Sequence, residues 1–189
     1  RVLLRDVLRG QLRKLNRYTY GGVENEFSAV NIEHAMDDLE IPLTDGLVRT
    51  SEKIYDALML GKSYPETVGE GRLLNFNLKY IDWEDPTQNL YHVTEEFAVE
   101  SADGQHDARP DIVLFVNGIP LVVIELKNAA DENATINSAF KQIETYKSII
   151  PTLFTYNSFV VISDGLEAKA GSISAGFSRF MAWKSADGK

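Results

Sequence analysis

The chain has 189 residues, 44% of them apolar and 25% charged, which is enough for a soluble globular domain with a sizeable core. It has no cysteine, which excludes a disulfide framework and a thiolate metal site, and no apolar run approaches the roughly 18 residues of a membrane span. The formal net charge of −9 argues against a domain that grips nucleic acid by charge alone, because such domains are basic. The chain opens at Arg1 rather than Met, as a fragment would, and its Arg-studded first fifteen residues lack the h-region of a secretory signal.

In chain order, Val2, Leu3, Leu4, Val7, Leu8, Leu12 and Leu15 recur at helical spacing. Ser28 caps a second predicted helix with Ile32, Ala35, Met36 and Leu39 as its apolar stripe and Pro42 beyond its end. A third spans Ser51 to Leu60 and stops at Gly61. Gly61-Lys62-Ser63 imitates the end of a phosphate-binding loop. Position 56 is Asp where the first Gly belongs, and the triplet follows a helix, so it is read as a helix stop. Leu78 to Trp83 and Tyr91 to Glu100 read as strands joined by a turn at Asp85-Pro86. Asp111 to Val116 and Leu121 to Leu126 are nearly continuous apolar runs, the pattern of strands buried on both faces, with Asn117-Gly118 as the hairpin turn between them. A helix is predicted from Thr135 to Ile149, stopping before Pro151, then a buried strand from Ser158 to Ser163. No element is assigned from Gly171 onward. The order implies a mixed α/β fold with one central sheet flanked by helices.

The informative stretch is RPDIVLFVNGIPLVVIELK, Arg109 to Lys127. Pro110-Asp111 opens one buried strand and Glu125-Leu126-Lys127 closes the next. A buried carboxylate costs several kcal/mol unless it is paired, protonated or bound to a metal. Glu125 and Lys127 are two apart and project from one face. A two-residue turn at Asn117-Gly118 sets Asp111 opposite Ile124 and turns Glu125 away. A three-residue loop with Gly118 left-handed, or an equivalent bulge near Pro120, brings Asp111 and Glu125 together, and that loop is the expectation. Two carboxylates and a lysine on one face suit metal-assisted phosphodiester hydrolysis. Asp111, Glu125 and the main-chain carbonyl of Leu126 hold Mg²⁺ in this reading, with Mn²⁺ a possible substitute, and Lys127 steadies the water or the growing phosphate charge. The plain alternative is a strand-opening Asp111 beside a surface Glu125–Lys127 ion pair.

Pro-Asp, a hairpin and Glu-x-Lys resemble the PD-(D/E)xK nuclease superfamily. Gln142 and Tyr146, four apart on the following helix, match the QxxxY element of type I restriction R subunits and RecB-like nucleases. VLLRDVLRGQLRKLN, EKIYDALMLG, LKYIDWEDPTQNLYHVTEEFAVE and the closing FSRFMAWK also look like the N-terminal region of type I restriction R subunits, so the resemblance covers nearly the whole chain. It implies a PD-(D/E)xK restriction-endonuclease-like core at 76–170, a mainly helical N-terminal part at 1–75, and a tail at 171–189 leading toward an absent motor, all one nuclease domain. It implies a prokaryotic cytoplasmic enzyme whose double-strand DNA cleavage has no sequence preference of its own. Specificity (S) and methyltransferase (M) subunits would be partners, and helicase-like motor domains of the same polypeptide would use ATP, which this chain does not bind. Glu52, on the helix before the meander, is the candidate for the extra acidic residue common in such folds, with Glu95 and Glu96 as rivals. His34, His92 and His106 lack metal-ligand spacing and are read as surface or structural. Two competing readings are a non-catalytic docking module of a DNA-processing complex, favoured by the net charge, and another PD-(D/E)xK repair nuclease.

Overall fold

The computed structural model describes residues 2–101, 104, 107–128 and 135–184. The chain divides into two compact units. One comprises Leu3–His92 with Val116–Ile119; the other comprises Val93–Phe115 with Pro120 onward, together with Val2.

In the first unit, α1 (Arg5–Leu15) is followed by the hairpin β1 (Arg17–Tyr20) and β2 (Val23–Glu26), then α2 (Ala29–Asp37) and α3 (Leu47–Leu60). The Ser28 hydroxyl caps α2 by accepting from Asn31 N–H, and Gly61 closes α3 at φ 72°. A second hairpin follows, β3 (Lys62–Val68) against β4 (Arg72–Leu78), paired in register from Lys62–Leu78 to Val68–Arg72. Leu8, Leu12, Ile32, Met36, Leu39, Ile54 and Leu78 form the core. Arg5 bonds Asp37, Glu40 and Glu33, tying α1 to α2 and the residues after it. The segment expected to be mainly helical therefore also carries two hairpins.

The predicted strand from Leu78 to Trp83 is not formed beyond Leu78. Its backbone groups are claimed by side chains instead. Asn16 accepts from Lys79 N–H and donates to Lys79 C=O, while Asn89 does the same for Asp82. Asp82 Oδ1 accepts from Glu84 and Asp85 N–H. Side chains that satisfy the backbone locally remove the need for a neighbouring strand.

Among the described residues the main sheet has six strands: β5 (Tyr91–Glu95), β8 (Ile112–Val116), β9 (Ile119–Leu126), β10 (Phe159–Ser163), β11 (Ala168–Gly171) and β12 (Met181–Ala182). The short strands β6 (Val99–Glu100) and β7 (Asp107–Ala108) pair apart from it. The order across the sheet is β12-β11-β10-β9-β8-β5. Strand β10 runs parallel to β9, with Glu125 beside Ile162, whereas β11 and β12 add antiparallel. A parallel neighbour requires a crossover, and α4 (Ile136–Ile149) with the short α5 (Pro151–Phe154) supplies it. Thr135 and Ser138 form a capping box at the start of α4, whose buried face is Ala139, Ile143 and Tyr146. The unassigned tail thus completes the sheet edge, with Gly171 packed so closely on the Phe180 ring that a Cβ there would lie 2.6 Å from it.

Candidate active site

Strand β9 is a central strand flanked on both sides, so its run of apolar residues is buried from Ile119 through Val123. Glu125 continues that buried run and is only 2% exposed. Its Oε1 accepts from Lys127 Nζ at 2.8 Å. Its Oε2 is buried and has no hydrogen-bond partner among the described residues. Burial pushes the Glu125 carboxyl above the ordinary carboxylate range. Lys127 opposes that shift, and the Asp111 charge adds to it.

Asp111 sits one residue before β8 begins. Its Oδ2 accepts from Leu126 N–H at 2.7 Å, and its carbonyl accepts from Glu96 N–H at 2.9 Å. The expected three-residue loop is not what brings it to Glu125. Asn117 and Gly118 both have positive φ, 54° and 83°, the mark of a two-residue type I′ turn between Val116 and Ile119. Asp111 lies at a bend outside the regular strand, and its Oδ2 reaches Leu126 at the end of β9. The structure therefore sets Lys127 on Glu125 and Asp111 on the end of β9 without the expected three-residue loop.

Helix α4 supplies the fourth side. The Tyr146 hydroxyl donates to the Arg109 carbonyl at 3.1 Å, two residues before Asp111. Burial, with the charges of Glu125 and Asp111, raises the Tyr146 phenol to about 12, and Gln142 beside it acts in the opposite sense. Gln142 thus sits beside Tyr146, which feels both carboxylate charges. Asp111, Leu126 and Lys127 line an open cleft of about 630 Å³, with Glu95, Glu96 and Asn128 on its other walls. Glu96 takes φ 48°, unusual for a residue with a Cβ, at the end of β5. Glu52 lies exposed on α3, in the other unit, whereas Glu95 and Glu96 join Asp111 in lining the cleft among the described residues.

An unpartnered carboxylate oxygen buried beside a second carboxylate and a lysine fits a hard divalent cation, which takes oxygen ligands. Among the described residues, no three His or acidic side chains gather into one metal-holding group, so the fit rests on the Asp111–Glu125 pair. His34 is exposed and His92 partly buried, and His106 lies outside the described residues. Leu126 presents its N–H to Asp111. No helix among the described residues is long and apolar enough to cross a membrane.

A family model described as type I restriction enzyme R protein N terminus matches residues 1–179. The chain belongs to that family. Its relatives include the type I restriction enzyme HindI endonuclease subunit of Haemophilus influenzae, 45% identical over 156 residues, which cover 77% of this chain and 15% of that protein. The EcoprrI endonuclease subunit of Escherichia coli is 32% identical over 166 residues, covering 86% of this chain and 47% of that protein. A Staphylococcus aureus type I endonuclease subunit is 34% identical over 93 residues, 49% of this chain and 9% of that one. This R protein N terminus thus spans less than half the length of each of these relatives, and the resemblance read from its sequence agrees with the family match.

Proposed function

We propose that this chain is the DNA-cleaving part of a type I restriction R subunit, a PD-(D/E)xK nuclease centred on Asp111, Glu125 and Lys127. The observation that carries this reading is Glu125, a carboxylate enclosed on a central strand with one oxygen on Lys127 and the other without a hydrogen-bond partner among the described residues. Burying such a group without full compensation is costly, and a cation-binding role accounts for the cost.

Asp111 and the free Oε2 of Glu125 would hold Mg²⁺, or Mn²⁺ in its place, with the Leu126 carbonyl as a further ligand. When bound, the cation supplies Lewis-acid polarisation of the scissile phosphate and a lowered pKa for the attacking water. Lys127, an ammonium at the rim of the cleft, would orient that water and balance charge growing on the phosphate oxygens. Tyr146 would hold the Arg109–Asp111 backbone in place, and Gln142 would contact the DNA or the water network. Glu95 and Glu96 replace Glu52 as the acidic residues best placed to assist, since they face the cleft. The net charge of −9 leaves much of the DNA grip to other parts of the assembly. The double-stranded DNA would be delivered by ATP-driven motor domains of the same polypeptide, within a cytoplasmic complex with M and S subunits.

Calorimetric titration of Mg²⁺ or Mn²⁺ into this chain tests the site. We expect binding that Asp111→Ala abolishes. Equal binding by the variant, or none by the unmutated chain, would favour the docking-module reading. In the assembled enzyme, Lys127→Ala should stop DNA cleavage while ATP hydrolysis and translocation continue.

A further inference from the structure

We infer that Lys127 sets the metal preference of the site by confining Glu125 to one-oxygen coordination. This deepens the cation-site reading above and rests on it. Lys127 Nζ holds Glu125 Oε1 at 2.8 Å, and the side chains of the pair are 25% and 3% exposed. The other oxygen, Oε2, is buried with no hydrogen-bond partner among the described residues. On the other carboxylate, Oδ2 of Asp111 is engaged by Leu126 N–H. Each carboxylate therefore has one oxygen held by a protein donor.

Denticity separates the common divalent cations. Ca²⁺ takes six to eight oxygens and often draws two from a single carboxylate, whereas Mg²⁺ is smaller, octahedral and content with one oxygen from each. A site whose two carboxylates are each half-committed to N–H donors is matched to the smaller ion. The Lys127 ammonium also lies close enough to repel any cation bound there, and that repulsion applies to both ions alike. Removing only the charge should therefore raise both affinities, whereas removing the donor should raise that for Ca²⁺ more.

Lys127→Met removes charge and donor, and Lys127→Arg keeps both. Mn²⁺, Mg²⁺ and Ca²⁺ are titrated into each by calorimetry at one fixed pH, with thermal unfolding as the check on folding. In Lys127→Met we expect Ca²⁺ affinity to rise about tenfold more than Mg²⁺ affinity, a gap that corresponds to freeing one good ligand. Lys127→Arg should keep the original ratio. A ratio unchanged in Lys127→Met, or a larger gain for Mg²⁺, overturns the inference while leaving the cation site standing. If the unmutated chain binds no cation, or Asp111→Ala binds as well, the underlying site itself falls.

Discussion

Asp111 Oδ2 accepts the main-chain N–H of Leu126 at 2.7 Å, so this carboxylate is tied to β9 without help from any ligand. Together with Glu96 N–H on its carbonyl and Tyr146 on the carbonyl of Arg109, the bond fixes a residue that no regular strand holds. Asp111→Asn keeps an acceptor for Leu126 N–H, whereas Asp111→Ala does not. Thermal unfolding should show Asn near the parent and Ala lower by about 1 kcal/mol, the discount reflecting the exposure of Leu126. Both should lose cation binding in calorimetry. Equal stability of the two variants would mean that the bond contributes nothing.

Glu125 gives a pH signature. Its folded pKa lies above its ordinary value of 4.5, so the folded state binds more protons than the unfolded state. Stability of the cation-free chain must then fall as pH rises from about 4.5 through the raised folded value, and stay reduced above it. Glu125→Gln removes this loss. In chelator at pH 8 the variant should melt at or above the parent, although at pH 4 the two should differ little in this respect. A parent whose melting temperature is flat across that window, relative to Glu125→Gln, would contradict the assignment.

The Tyr146 phenol should ionise only near 12, held up by burial and by two carboxylate charges. Difference titration of the parent against Tyr146→Phe, followed by phenolate absorbance, should place the transition there. Asp111→Asn should move it down, because one of the charges is gone. Tyr146→Phe should cost about 1 kcal/mol of stability through the lost bond to Arg109, and should weaken cation binding through looser placement of Asp111.

The turn at the hairpin tip is a fourth target. Asn117 is fully buried and spends its amide on Tyr80 C=O, Asn89 Oδ1 and Leu90 N–H. Asn117→Ala should cost about 3 kcal/mol by leaving these groups unsatisfied. Asn117→Gly should cost about 1 kcal/mol less, since φ 54° suits glycine. Gly118→Ala should be worse than either, because a Cβ there would stand 2.7 Å from Leu4 O at φ 83°. Urea unfolding ranks the three, and a Gly118→Ala chain as stable as Asn117→Gly would refute the packing argument.

Much of the architecture was legible because its signals are local. Ser28 and Gly61 mark helix ends through capping and positive φ, and the apolar runs of β8, β9 and β10 announce buried strands. The two hairpins of the first unit were not legible. Strands β1 and β2 are mostly exposed, so no apolar alternation marks them. In β3 the buried positions are Tyr64, Glu66 and Val68, and Glu66 is enclosed only because Ser28 N–H and Asn31 Nδ2 bond its carboxylate. Such partners come from 35 or more residues away, beyond any local pattern. At the site, the residue types and spacing of Asp111, Glu125 and Lys127 could be read. The bend at Asp111 could not, because it is held by Glu96 and Leu126 as backbone donors.

The tip of the β8–β9 hairpin carries a practical constraint for anyone shortening the chain. Its carboxamide partners are Tyr80, Asn89 and Leu90, and Gly118 C=O receives Leu4 N–H. A polypeptide engineered to begin at Val93 would strand all of these groups at once. Shortening from the N-terminal side past Leu4 therefore loosens this turn before any strand of the sheet is lost.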